Sequence, residues 1–368
     1  MSNNDSEFIW IKEPIIVDET YASYDESTID WLRRSTNKRA TDSRIFLNHN
    51  LGKIPKQYRE LIIDRLTQDW RSGLFELILA RYLQELGANL LYEKPIQGGK
   101  RPDFTTVFDD GSIIVEAISP IFNSELIKEQ KNNAPLIKYI EKNKPPGWLV
   151  LLLRLPNIGP SDSKKEFQKK IDYIFENVRS TSENKLSISE TTTFGEIALE
   201  CTRTKEDYKR IGGGPILTSW DDTEERIKHA LNKKRPQVRE ANIPVILAIN
   251  TSGISSEIED FNQALYGHSV DVIDVRNLRK RDSYFKEDGL FTRKKSIDPT
   301  YAGIFACFNY GLAGGPPPIL FHNPNYVDYL PKALLQLKQR NYNFDSQSIV
   351  KENLKNSELL SKLRFPPH

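Results

Sequence analysis

The most regular periodicity in the first third of the chain falls at Phe75, Ile78, Leu79, Tyr82, Leu83 and Leu86. That i, i+3, i+4, i+7 spacing predicts a helix with one apolar face, closed by Gly87. Glu76 borders the apolar stripe instead of lying opposite it. The period then changes. Residues 88–92 predict a strand. Phe104 and Val107, followed by Ile113-Ile114-Val115, predict a hairpin that reverses at Asp109-Asp110-Gly111, because Asp-Gly suits a tight turn. Residues 127–142 are helical in composition, with Leu136, Ile137 and Ile140 as the apolar side. The apolar run 148–153 is too short for a membrane and predicts a central buried strand.

Farther along, Phe167, Ile171, Ile174 and Phe175 give a second helix with one apolar face, over 164–178. A strand is expected at 195–202, where Glu196 and Glu200 share one side and suit an exposed sheet face. A helix is expected at 223–234, a second buried strand at 244–250, and an apolar segment at 301–310. The last forty or so residues are expected to form helices and a polar tail. Helices alternating with strands predict an α/β protein whose mixed sheet is covered on both faces.

A chain of 368 residues is long enough for a sizeable core, and either one domain elaborated by its C-terminal half or two closely packed domains are expected. Residues 1–56, mixing Trp10, Tyr21, Tyr24 and Trp31 with acids and a basic run from Arg33 to Arg39, are expected to form an N-terminal arm with a short helix near 28–34. Residues 57–275 are expected to form the core. Residues 276–368 would then be a basic loop and a C-terminal extension packed on it.

The net charge of +2 creates little long-range field for a polyanion, so any nucleic-acid surface must be local. The local candidate is 276–295, where Arg276, Arg279, Lys280, Arg281, Lys286, Arg293, Lys294 and Lys295 are interleaved with Tyr284, Phe285 and Phe291. Cations among aromatic rings suit phosphate contacts and base stacking; the alternative is a solvated charged loop. Cys201 and Cys307 lie in separate apolar runs with no metal-ligand spacing, as buried thiols in a reducing compartment would. The polar N-terminus and the lack of a long apolar run lead us to expect a cytoplasmic protein with no membrane partner. Neither a Gly-x-Gly-x-x-Gly fingerprint, a P-loop nor a nucleophile elbow is present, so a small-molecule α/β enzyme has no motif behind it.

The candidate chemistry is carried by acids at strand ends. Asp103 opens the first hairpin strand after Arg101-Pro102, and Glu116 ends the apolar strand Ile113-Ile114-Val115. An anion beside a buried edge is costly unless a cation or a donor meets it. Two such carboxylates brought together by a hairpin suit Mg²⁺, which takes one or two carboxylates plus waters and phosphate oxygens.

Helix Glu76, then Pro102-Asp103-Phe104, then Val115-Glu116-Ala117 resembles the core of the PD-(D/E)xK nuclease superfamily. The resemblance implies a restriction-endonuclease-like fold, a mixed central sheet flanked by helices, here with a C-terminal α/β elaboration. It implies a Mg²⁺- or Mn²⁺-dependent DNA endonuclease hydrolysing phosphodiester bonds in restriction, repair or phage defence. Asp103, Glu116 and the Ala117 carbonyl would be the metal ligands, and Glu76 would orient a metal-bound water. DNA is the implied partner, and a second copy of the chain or a partner protein is a further expectation. The same segments, with Ala230 to Lys234, Pro244 to Asn250, Ala264-Leu265-Tyr266-Gly267 and His322-Asn323-Pro324, resemble a group of bacterial proteins of roughly this length.

One position departs from the superfamily pattern. The lysine expected two residues after Glu116 is Ile118, which cannot steady developing charge on a phosphorane. A lysine from another element would have to replace it. Lys100, Lys128, Lys233 and Lys234 are the candidates, with Lys128 and Lys234 foremost. The alternative is a nuclease fold kept as a catalytically inactive module that binds nucleic acid or protein, with Asp103 and Glu116 paired to Lys100, Arg101 or Lys128.

Overall fold

The structure, a computed structural model, describes residues 8–20, 22, 26–120, 124–156, 164–205, 211–213, 223–251, 257–276, 279–292, 300–308, 310–311, 316–326 and 330–352. The helices are α1 (Thr28–Arg34), α2 (Lys38–Lys53), α3 (Lys56–Gln68), α4 (Trp70–Glu85), α5 (Ser124–Asn143), α6 (Lys164–Ser180), α7 (Thr223–Val238) and α8 (Ile258–Tyr266). The strands are β1 (Asn89–Tyr92), β2 (Phe104–Phe108), β3 (Gly111–Ile118), β4 (Trp148–Arg154), β5 (Lys185–Thr192), β6 (Gly195–Arg203), β7 (Gly212–Gly213), β8 (Val245–Asn250), β9 (Ser269–Asp274), β10 (Arg279–Phe285), β11 (Gly303–Cys307), β12 (Ile319–His322), β13 (Lys338–Asn343) and β14 (Ser348–Glu352). Among the described residues no helix is long and apolar enough to cross a membrane.

The chain divides into two compact units. The first comprises Met1–Glu19, Leu32–Ile121 and Asp221–His368; the second comprises Thr20–Trp31 and Phe122–Trp220. The boundaries of these units are not those of the expected core at 57–275. β4 to β7 build a sheet of their own, while β11 to β14, expected in an extension, continue the sheet that holds β2 and β3.

The first unit is a mixed eight-stranded sheet in the order β1-β2-β3-β8-β11-β12-β13-β14, flanked by helices. β2 and β3 pair antiparallel around Asp109-Asp110, and β3, β8 and β11 run parallel. β8 is buried at all six positions and so reads in sequence as an unbroken apolar run, as a strand covered on both faces should. Ile114, Leu247, Ile249, Ile304 and Phe321 pack with Ile227, Ala230 and Leu231 of α7 and with Phe261 and Leu265 of α8. β9 and β10 form a separate two-stranded ribbon.

The second unit is a four-stranded sheet in the order β5-β6-β4-β7. Ile140 of α5 and Phe167, Ile171 and Phe175 of α6 cover Val150, Leu152 and Leu199. The apolar run at 148–153 is therefore interior to this smaller sheet, but not a strand buried on both faces. Trp148, Val150 and Leu152 are buried, whereas Leu149 and Leu151 are half-buried and Leu153 is exposed, because one face is covered more fully than the other. On β6, Glu196 pairs with Arg154, and Glu200 lies 3.0 Å from Lys185, as an ordinary outer sheet face would arrange them.

Two other elements differ from expectation. α2 lies within the supposed N-terminal arm. Its buried face carries Ser43, Arg44 and Asn50, each bonded to a backbone carbonyl, so its apolar stripe is interrupted in sequence. Apart from one short 3-10 helix at Lys332–Gln336, the described C-terminal residues form the strands β13 and β14 where helices are expected. Gln339 and Arg340 of β13 are buried with their hydrogen bonds met partly on the backbone, which hides the strand's period.

Candidate functional site

The hairpin register sets the first contact of the site. Phe104 faces Val115, so Asp103, one residue before it, and Glu116, one residue after, are cross-strand neighbours at the sheet's end. The Ala117 N–H donates to Asp103 Oδ2 over 2.8 Å and fixes that carboxylate in place. Glu116 is fully buried, and its Oε1 has no hydrogen-bond partner.

A lysine meets the two acids from another helix. Lys234 Nζ lies 2.6 Å from Glu116 Oε2 and 3.2 Å from Asp103 Oδ2. Its position follows from the face of α7 that packs on the sheet. Ile227, Ala230, Leu231 and Val238 are buried, and Lys234 falls on the same i, i+3, i+4, i+7 row. The Gln237 Nε2 donates to the Arg101 carbonyl over 2.9 Å, tying the end of α7 to the segment that leads into Asp103.

A second cation approaches from α3. Arg65 Nη1 lies 2.5 Å from Glu76 Oε1 and 3.3 Å from Asp103 Oδ1, and its Nη2 lies 2.5 Å from Glu93 Oε1. Asp103 therefore divides its oxygens, one toward Arg65 and one toward Lys234. The closeness of α3 and α4 makes this reach possible. Asp69 caps α4, accepting from the Arg71 and Ser72 amides, and Gly73 then sits against the last turn of α3. A Cβ on Gly73 would lie 2.4 Å from the Leu66 nitrogen and 2.7 Å from the Arg65 carbonyl carbon. Glu93, just after β1, takes a left-handed φ of 46°, unusual for a residue with a side chain.

Four carboxylates thus share two cations. Burial, and then the Asp103 charge, push the Glu116 carboxyl up to about 8 and the Glu76 carboxyl up to about 7. Burial pulls the Lys234 ammonium down, but Asp103 and Glu116 outweigh it and leave the group above its ordinary value. The surplus negative charge can be met by two protons or by one divalent cation.

The residues fit such a cation. The orphaned Glu116 Oε1 is a carboxylate oxygen with no donor, and the donor set is all oxygen, as Mg²⁺ and Mn²⁺ prefer. The acids nevertheless converge on Arg65 and Lys234. Among the described residues no three His, Cys, Asp or Glu side chains already form a metal cage.

No family model, curated protein or solved structure matches this chain.

Of the residues expected at the site, Glu76, Asp103, Glu116 and Lys234 are brought together. Ala117 is beside them, contributing its amide to Asp103. Lys128 lies on α5, with its side chain outside the described residues, and Lys233 is exposed on α7. Asp103 and Glu116 pair with Lys234 and, for Asp103, Arg65, and not with the exposed Lys100 or Arg101. Sequence reasoning does not find Arg65 or Glu93. Arg65 carries a weak signal, lying between Ile62 and Leu66 at the border of the α3 stripe, as Glu76 borders that of α4. Glu93 carries none.

Of the basic segment, Arg279, Lys280 and Arg281 lie on β10 with their side chains outside the described residues, and Lys286 is exposed just after it. Arg293, Lys294 and Lys295 lie outside the described residues. His322 ends β12, with its Nε2 2.7 Å from Gln339 Oε1, and belongs to the packing of β13.

Proposed function

We propose that this chain is a divalent-metal-dependent DNA endonuclease of the PD-(D/E)xK kind, its sheet being restriction-endonuclease-like and its motif lysine supplied by α7. The observation that supports it most is Lys234 Nζ within 3.2 Å of Asp103 and 2.6 Å of Glu116, where an ammonium from outside the strand replaces the one missing at Ile118.

Asp103 and Glu116 would hold Mg²⁺ or Mn²⁺, which when bound lowers the pKa of a coordinated water and polarises the scissile phosphate. Lys234 would sit against the negative charge that develops on the phosphoryl oxygens. Glu76, protonated more readily than an exposed acid, can hold a proton at the edge of the site near neutral pH. The basic segment at 276–295 would bind the nucleic-acid backbone.

The test is cleavage of plasmid and single-stranded DNA with Mg²⁺ and with Mn²⁺ by the wild-type chain, Asp103→Ala, Glu116→Ala and Lys234→Ala. Metal-dependent cutting lost in all three variants supports the reading, and cutting retained in Asp103→Ala or Glu116→Ala refutes it.

A second reading has its own observation. Each acid already has a cation or amide partner, so the cluster is also a closed set of ion pairs of the sort an inactive binding module would keep. DNA binding with no cutting under either metal would favour it.

A further inference from the structure

Arg65 is the cation of the site that neither the sequence motif nor the proposed chemistry uses. It enters from the solvent side, its side chain 28 % exposed, whereas Lys234 is 18 % exposed and Glu116 fully buried. Its Nη1 is shared by Glu76 and Asp103, the acids of one half of the site. Asp103 Oδ2 is already taken by the Ala117 amide and Lys234, so Oδ1 is the oxygen a new cation would use, and Arg65 is on it. A guanidinium and a divalent ion cannot share one carboxylate oxygen without strong mutual repulsion.

We propose that the Arg65 guanidinium blocks Asp103 Oδ1, the oxygen that a divalent cation held by Asp103 and Glu116 would use, and that such a cation loads by displacing Arg65 from Asp103. This rests on the metal-dependent reading given above. Glu93 makes the exchange feasible. Its carboxylate holds the other arm of the guanidinium, at Nη2, so Arg65 can leave Asp103 and remain paired. Arg65 thereby sets the threshold of free metal at which the site fills, in the manner of a built-in competitor. An arginine suits this because its planar fork spans two carboxylates at once and stays charged at every physiological pH.

The experiment is calorimetric titration of the full-length protein with MnCl₂ and no DNA, for the wild type, Arg65→Met, Arg65→Lys and Asp103→Asn, with thermal melts of each. Arg65→Met should bind Mn²⁺ on the order of tenfold more tightly than the wild type, and Asp103→Asn should lose the binding. Arg65→Lys, which keeps the charge but cannot span both acids, should gain less; it serves as the reporter if Arg65→Met does not fold. An affinity unchanged or weakened in a folded Arg65 variant, with the wild type binding Mn²⁺ at Asp103, would overturn the competitor role alone and make Arg65 a scaffold for the acids. Mn²⁺ binding absent from the wild type and every variant would overturn this inference together with the metal-dependent reading.

Discussion

Lys234 Nζ lies 2.6 Å from Glu116 Oε2, although 118 positions separate the two residues in the chain. The contact supplies the cation that the strand itself lacks at Ile118, and the function proposed for the site depends on it more than on any other pair. Replacing Lys234 with alanine should lower cleavage about 10²- to 10³-fold, the usual loss when one group facing transition-state charge is removed. Lys234→Arg should retain part of the activity. Single-turnover rates at saturating Mn²⁺ would measure both, and a Lys234→Ala rate equal to wild type would remove the lysine from the mechanism.

The raised acids make metal-free stability depend on pH. Glu116 and Glu76 ionise near 8 and 7 in the folded chain, against an ordinary value of 4.5. The folded state therefore holds more protons than the unfolded one between those limits, and stability must fall as pH rises through them. Melting temperature without metal should be higher at pH 5.5 than at pH 8.5. Glu116→Gln, which holds no titrating proton, should flatten the slope. A melting temperature that rises from pH 5.5 to 8.5 in the wild type would contradict the protonation scheme.

Gly73 is the point at which α3 and α4 can come no closer. A methyl group there would meet backbone atoms of Arg65 and Leu66, which cannot swing aside as a side chain would. Gly73→Ala should cost about 1–3 kcal/mol by overpacking and pull Arg65 away from Glu76. Chemical denaturation would give the first effect. The second should appear as tighter Mn²⁺ binding if Arg65 competes with metal.

The β9–β10 ribbon should affect binding and not chemistry. Alanine at Arg279, Lys280 and Arg281 together should weaken DNA binding and reduce the slope of log K against log salt by roughly 0.9 for each phosphate no longer neutralised. The single-turnover rate on saturated DNA should be unchanged. Anisotropy titrations across a salt series would decide it, and an unaltered slope would place the nucleic-acid surface elsewhere.

Much of the site could be read from local pattern. Glu76 borders an apolar stripe, and Asp103 precedes and Glu116 lies within strands whose tight turn fixes their register, although β3 runs two residues past Glu116, where the pattern predicts its end. Lys234 occupies a core row of an otherwise clear helix. Arg65 and Glu93 could not be read in this way, because their partnership exists only once α3 folds back on α4 and the turn after β1 closes. The fold was legible where burial is apolar, as in β3, β8 and α6. It was obscured where buried faces carry polar groups satisfied at short range, as with Arg44 on α2 and Gln339 on β13. The run at 148–153 misled for the opposite reason: leucines on its less covered face hid a period of two.

The insertion of a whole unit between β3 and β8 has a consequence for biosynthesis. The β2–β3 hairpin, with Asp103 and Glu116 side by side, is synthesised 118 residues before Lys234. At 5–20 residues per second the interval is about 6–24 s. During it neither the parallel partner of β3 nor the lysine exists, and the nascent β3 edge carries Glu116 with no ammonium beside it. Before β8 covers it, Glu116 would keep that edge hydrated and repel a like edge on a neighbouring chain, as inward-pointing charges do on exposed strands. A carboxylate proposed to hold metal would thus first serve to keep an unfinished sheet from pairing with the wrong strand.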